Sequence, residues 1–320
     1  MITVSLCMIV KNEEKLLARC LDSMKDLAEE IVIVDTGSTD KTCEIAARYT
    51  KKLFHFSWTG DFSQARNFAF SKCTQEYIYS ADADEVIDEE NRERFRVLKQ
   101  ALLPEIEIVQ MKYGNQLSYS TIYNFDEEYR PKLYKRLRYF VWEYPIHEAV
   151  RLDSVIYDSD VVITHMPEQS HTPRDLATFE KMVESGVVLD KRMHNLYAKE
   201  LFVSGNSNDF SRASAFFKKA AEDQERDGDT MMEACCVAAR AAHLNGNLHE
   251  MMKYALKAVA AGSCSEICYE LGEHYRETED YPEAEIWYYN AAYETQSILN
   301  VHCGDDWPRS ALTELEAQRT

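Results

Sequence analysis

Two hydrophobic periods alternate through the first hundred residues, and this alternation limits the possible folds more than any other feature of the chain. Ile2 to Val10 is an apolar run of strand length, and EEKLLARCLDSMKDL after it places Leu16, Leu17, Cys20, Leu21 and Met24 on one helical face. EEIVIVD reads as a second strand. TGSTD then supplies a glycine turn and several N-cap residues for a helix near Lys41 to Tyr49. A short strand around Leu53 to Phe56, a helix in SQARNFAFSKC and a strand from Tyr77 to Ala81 complete the series. Strand followed by helix, repeated, predicts a mostly parallel, Rossmann-like α/β sheet covered on both faces.

Sheets of this kind bind ligands at the carboxyl ends of their strands. Asn12, Asp35 and Asp82 all fall at or just past such ends. From Ile106 to Met166 the texture changes to short aromatic-rich strands, EIVQMKY and PKLYKRLRYFVWEYPIHEAV among them, closing at VVITH. This stretch is expected to form the antiparallel or mixed remainder of the same domain. Pro167 and Pro173 interrupt the pattern, so the expected division is a first domain over 1–170 and a second over 171–320.

The second part is helical and repetitive. DFSRASAFFKKAAE, NLHEMMKYALKAVA and DYPEAEIWYYNAAY overlay so that Phe210, Leu248 and Tyr281 correspond. Ala213, Met251 and Ala284 correspond likewise, as do Phe216, Tyr254 and Trp287, and then Ala220, Ala258 and Ala291. The spacings of 38 and 33 residues bracket the tetratricopeptide period of about 34. Small residues let paired helices approach while aromatics fill the gaps, so an all-α domain of tetratricopeptide-like repeats is expected. The final WPRSALTELEAQRT reads either as a closing cap helix or as a contact for a homodimer.

At 320 residues the chain suits two domains, and 45% hydrophobic content is that of a globular protein. A net charge of -19 argues against a broad nucleic-acid or anionic-membrane surface, so any phosphate must be held locally. The nine cysteines include no CxxC pair, which points to reduced thiols and a cytoplasmic setting. The N-terminal apolar stretch lacks a basic leader and a small-residue cleavage site and reads as a strand. Nothing approaches the roughly 18 apolar residues needed to span a bilayer.

SADADEVID crowds Asp82, Asp84 and Glu85 together just after the strand Tyr77 to Ala81. Such a turn either caps the helix expected near Asp88, whose N-terminus favours negative charge, or surrounds a divalent cation. Three further stretches accompany it in fixed order: SLCMIVKNEE at the first strand, VIVDTGSTDKT at the second and DFSQARNFAF before the fourth. Together the four strongly resemble a family 2 glycosyltransferase of the GT-A fold, over residues 1 to about 166. With its helical repeats the whole chain looks like the subgroup that includes bacterial peptide S-glycosyltransferases of the sublancin type.

The resemblance implies roles for particular residues. Asp35 would accept from the base or ribose of a nucleotide, with the backbone of Ile9, Val10 and Asn12 lining the same pocket; a cap for its own turn is the other use of an aspartate there. Arg66 would reach the nucleotide diphosphate. Asp84 would bind Mn2+ or Mg2+ directly and Asp82 would contact the ribose or the metal through water, with His165 as a third metal ligand. Glu85 would orient its neighbours. Trp58, Asp61 and Phe62 lie near the expected donor, Asp61 as a sugar contact. Glu148 is the candidate general base, with His147 beside it as positioning donor or alternate base. Tyr113, Asn115, Trp142 and Tyr144 are candidates for the acceptor cleft.

These roles imply an inverting, metal-dependent transfer of a hexose from a nucleotide diphosphate sugar, UDP-hexose by resemblance. A concave repeat surface suits an extended peptide, so a peptide or protein acceptor modified at Ser, Thr or Cys is expected. Two other readings stay open: a glycan or cell-envelope transferase with a saccharide or lipid-linked acceptor, and a repeat scaffold whose transferase domain is inactive.

Overall fold

The computed structural model describes residues 1–114, 128–150, 154–166 and 172–318, so Asn115 and Pro167 lie outside the described residues. The chain forms two compact units. The first contains β1 (Val4–Val10), α1 (Leu17–Met24), β2 (Glu30–Asp35), α2 (Thr42–Tyr49), β3 (Leu53–His55) and α3 (Phe62–Phe70). It continues with β4 (Tyr77–Ala81), β5 (Glu85–Val86), α4 (Glu89–Ala101), β6 (Ile108–Gly114), β7 (Glu128–Lys135) and β8 (Ile156–His165).

All eight strands join one sheet in the order β3-β2-β1-β4-β7-β6-β8-β5. The first four are parallel, with β1 between β2 and β4. β7 runs antiparallel to both β4 and β6, which attaches the aromatic-rich strands to the same sheet. Because β1 is buried on both faces it reads as a continuous apolar run, yet its residues still alternate in direction. Leu6 and Met8 face a cluster with Leu17, Leu21 and Phe95 of α1 and α4. Cys7 faces the opposite cluster, with Val32, Ile78 and Ala69 of α3.

Glu30 pins the start of β2. Its carboxylate accepts from Ser5 Oγ and Lys52 Nζ, and from the Thr74 N–H and hydroxyl at 2.8 Å each. Burial alone would raise the pKa of this group, but the Lys52, Ser5 and Thr74 bonds outweigh it and hold it at about 2.

Sequence patterning did not show β5. A two-residue strand has no period to read, yet β5 pairs antiparallel with the end of β8, setting Glu85 opposite His165.

The second unit consists of α5 (Thr172–Glu184), α6 (Lys191–Ser204), α7 (Ser207–Glu222), α8 (Gly228–Leu244), α9 (Leu248–Ala260), α10 (Ser265–Glu277), α11 (Tyr281–Tyr289) and α12 (Asp306–Gln318). The three repeated stretches form α7, α9 and α11, the last continued by a π-helical turn over Asn290–Glu294, and each begins with the same device. Asn206, Asn247 and Asp280 cap them by accepting from backbone N–H groups of the first turn. The aligned Ala213, Met251 and Ala284 are buried, as are Ala220, Ala258 and Ala291.

Two other aligned sets are only partly inward. Phe210 is buried, whereas Leu248 and Tyr281 are exposed. The buried aromatics are Phe217, Tyr254 and Tyr288, so the expected Phe216 and Trp287 are each one residue off. Both lie in runs of adjacent aromatics, where a 100° step decides which ring enters the core and residue type cannot. At the C-terminal end Ala311 and Leu315 of α12 pack on Ala284 and Tyr288, so α12 covers the last repeat.

Gly272 of α10 sits where a Cβ would come within 2.6 Å of the Tyr288 ring. Gly272→Ala is therefore expected to destabilise the repeats by about 1–3 kcal/mol, read as a lower denaturant midpoint at unchanged slope. Glu30 generates a pH test. Its folded pKa is depressed, so its stabilisation is complete above the ordinary glutamate value and is lost as pH falls towards 2. Glu30→Gln should lose that component of the acid limb, giving a shallower fall in stability between about pH 4.5 and 2.

Candidate active site

The carboxyl ends of β1 and β2 are followed by turns that lace together. The Asn12 N–H donates to Ser38 Oγ at 2.9 Å, and Asn12 Oδ1 accepts from the Thr39 N–H at 2.8 Å. Asn12 itself adopts φ 57°, a conformation asparagine tolerates. Val10 O accepts from both the N–H and the hydroxyl of Thr36. Asp35 closes its own turn, accepting from the Gly37 N–H at 3.1 Å and the Ser38 N–H at 3.0 Å. Burial opposes its ionisation, but these donors, the Ser38 hydroxyl and His55 hold its carboxyl below the usual range. Ile9 and Val10 bring backbone to this corner while Val10's side chain enters the core.

The second corner lies past β4. The acidic triplet does not cap α4; Asp88 does, accepting from the Asn91 N–H at 2.9 Å. Arg66 reaches in from α3. It donates from Nε to Glu148, from Nη1 to Ser80 Oγ at 2.7 Å and from Nη2 to Asp82 Oδ1 at 2.9 Å. Its guanidinium lies 5.0 Å from the Trp142 ring centroid, within cation–π reach. Asp82 also faces Lys132 Nζ at 3.5 Å. Desolvation would raise its pKa, but the Arg66 and Lys132 charges prevail and keep it well below the carboxylate range.

Lys132, on β7, was not anticipated from sequence. It is buried and donates from Nζ to the carboxyl of Glu85, whose side chain is fully buried. Burial first, then the charges of Asp82 and Asp84, push Glu85 up to about 8 against the pull of Lys132. The only sequence signal was a lysine at an inward position of a strand, PKLYK, which β-strand alternation turns into a buried charge.

Asp84 meets His165, Oδ2 to Nε2 at 3.2 Å, across 81 residues of sequence. The β5–β8 pairing makes this possible. Asp84 Oδ1 is buried and has no hydrogen-bond partner among the described residues. A buried carboxylate oxygen left unsatisfied is costly, and a hard cation would satisfy it. The local balance agrees: Asp82, Asp84 and Glu148 outnumber the two cations set among them, Arg66 and Lys132, even with Glu85 held protonated. These residues therefore fit a divalent metal.

The remaining candidates divide. Glu148 enters the cluster through Arg66, and half-buried His147 beside it has φ 47°. Trp142 and Tyr113 are buried, Trp142 under Arg66 and Tyr113 against His165 at 5.3 Å between ring centroids; Tyr144 is half-buried. Asp61 caps α3, accepting from the Ser63 hydroxyl and from both the N–H and side chain of Gln64. Trp58 packs edge-on against Phe62 at 4.7 Å.

Residues 5–155 match the profile of Glycosyl transferase family 2. Over 85 residues the chain is 51% identical to a TPR repeat-containing protein of Synechococcus elongatus, covering 27% of this chain and 21% of that protein. Over 92 residues it is 38% identical to the SPbeta prophage-derived glycosyltransferase SunS of Bacillus subtilis, covering 28% of this chain and 22% of SunS. The matched stretches thus span about a fifth of the length of these curated relatives. A solved structure of glucosyl-3-phosphoglycerate synthase from Mycobacterium tuberculosis, in complex with Mn2+ and uridine-diphosphate-glucose, is similar at 12% identity with a TM-score of 0.43. That likeness covers 59% of this chain and 81% of the synthase.

The Lys132–Glu85 pair yields a double-mutant test. Lys132→Met removes the cation that buried Glu85 and Asp82 share and keeps Glu85 protonated to still higher pH, so stability should fall as pH rises above about 8, whereas adding Glu85→Gln should abolish that pH-dependent loss in equilibrium unfolding.

Proposed function

We propose, for a chain whose residues 5–155 form a family 2 glycosyltransferase domain, an inverting, metal-dependent transfer of a hexose from a nucleotide diphosphate sugar. The observation that carries the reading is the buried Asp84 Oδ1, without a hydrogen-bond partner among the described residues, beside His165 and set among Asp82, Arg66 and Glu148. Asp84 and His165 would hold Mn2+ or Mg2+, with Asp82 as a further oxygen donor. When bound, the metal supplies positive charge where the diphosphate leaves.

The protein's own groups then divide the work. Asp35 and the Ile9–Asn12 backbone would receive the base and ribose, and UDP is the donor nucleotide favoured by the family resemblance. Arg66 commits N–H groups to Glu148, Ser80 and Asp82, so its support for the diphosphate would come as fixed charge rather than as a two-pronged hydrogen bond. The same bonds keep Asp82 ionised and orient Glu148, the proposed general base toward the acceptor hydroxyl or thiol. Asp61, already a helix cap, would meet the sugar only through an oxygen's remaining lone pair.

The repeats favour a peptide or protein acceptor, carrying Ser, Thr or Cys, because stacked helix pairs build an extended surface. No helix among the described residues is long and apolar enough to cross a membrane.

Thermal unfolding against a panel of nucleotide sugars with and without Mn2+ tests the donor. One UDP-sugar in roughly hundredfold excess over its Kd should add about 2.7 kcal/mol, only with metal and not in Asp84→Ala. A shift for no nucleotide would remove the transferase reading. Glu148→Gln should lower kcat by about 10^2–10^4 while leaving that metal-dependent shift in place.

A further inference from the structure

The β2–β3 edge carries a cluster that the proposed transfer does not use in full. Asp35 and His55 are register partners on the parallel strands β2 and β3, so their side chains leave the same face of the sheet. Cys43 lies in the first turn of α2, directly above. One ligand atom from each, the carboxylate oxygen, Sγ and a ring nitrogen, lies within 4.8 Å of the others. His55 Nδ1 is 3.3 Å from Asp35 Oδ2.

The geometry points to a second metal site, in which Asp35, Cys43 and His55 bind a zinc-class divalent ion. Tetrahedral zinc, with bonds of about 2.0–2.3 Å, sets neighbouring ligand atoms about 3.3–3.8 Å apart. The Asp35–His55 distance already meets this. Cys43 Sγ lies within 4.8 Å of both partners, and His55 has room to adjust because its side chain is 72% exposed. Asp35 is held in orientation by the Gly37 and Ser38 N–H groups, the outer support that ligating carboxylates use.

Ligand chemistry separates this cluster from the Asp84–His165 pair. A thiolate and an imidazole select zinc over magnesium or manganese, whereas Asp84 offers a hard oxygen. Cys43 is also the one cysteine of the nine that is not buried, so it is the thiol open to an incoming ion. Binding would release the thiol proton to solvent as the sulfur–metal bond forms. Since the transferase reading gives Asp35 to the nucleotide base, zinc and donor would compete; that consequence rests on the reading and the metal site does not.

Cobalt(II) is the probe, titrated into the full-length protein and followed by its thiolate charge-transfer absorption. The band is expected in the wild type and in Asp84→Ala, absent in Cys43→Ser, and weakened about tenfold or more in His55→Ala. The other eight cysteines are buried and are kept in every variant, and circular dichroism is the check that each variant folds. No thiolate band in the folded wild type, or an equal band in Cys43→Ser, overturns the site. Adding UDP to the cobalt-loaded protein should bleach the band. If UDP binds nowhere by calorimetry while the band depends on Cys43 and His55 as expected, the metal site stands and the transferase reading falls.

Discussion

The Arg66 guanidinium is the constraint on which the rest of the active corner depends. A nearly buried arginine is tolerable only when its charge and donors are met, and here Asp82, Ser80 and Glu148 meet them while Trp142 lies below. Those partners come from the end of β4 and from the loop before β8. One side chain therefore fixes the distance between the metal-side aspartate and the proposed base. Lys132 plays the matching part on the other side, allowing Glu85 to be fully buried beneath the turn that presents Asp84.

The first corner is held by different physics. Around Asn12, Asp35 and Ser38 the bonds run mainly between side chains and backbone N–H groups, so two loops behave as one rigid rim without buried charge pairs. Asp35 is both a turn-former and a candidate ligand contact, and these uses are compatible. The exposed His55 can give way to a ligand at this carboxylate, and the backbone donors that close the turn also keep it ionised. Cys43 and His55 give the same carboxylate a second set of neighbours, which is why this rim can be read as more than nucleotide lining.

Much of this was legible beforehand, and the exceptions have physical causes. Long periodic elements were readable: β1, β2, β4 and α1 follow from the spacing of their apolar residues, and α7, α9 and α11 from a small-residue and aromatic pattern repeated at tetratricopeptide-like spacing. Adjacent aromatics defeated the repeat alignment at Phe216 and Trp287, since either ring satisfies the same residue-type rule. β5 left no trace because two residues carry no period, and Lys132 left almost none because a lone lysine in a strand is usually exposed.

By itself the sequence determined the parallel α/β order, the helical repeats, and the candidacy of Asp35, Arg66, Asp82, Asp84, Glu148 and His165. Those follow from local patterns and motif order, which the chain carries in one dimension. Only the tertiary structure decided which of these residues meet. Asp84 reaches His165 through a strand pairing across 81 residues, Arg66 joins Asp82 to Glu148, and sheet register sets His55 beside Asp35. Such contacts are set by packing and register between distant segments, and no local stretch of sequence encodes them.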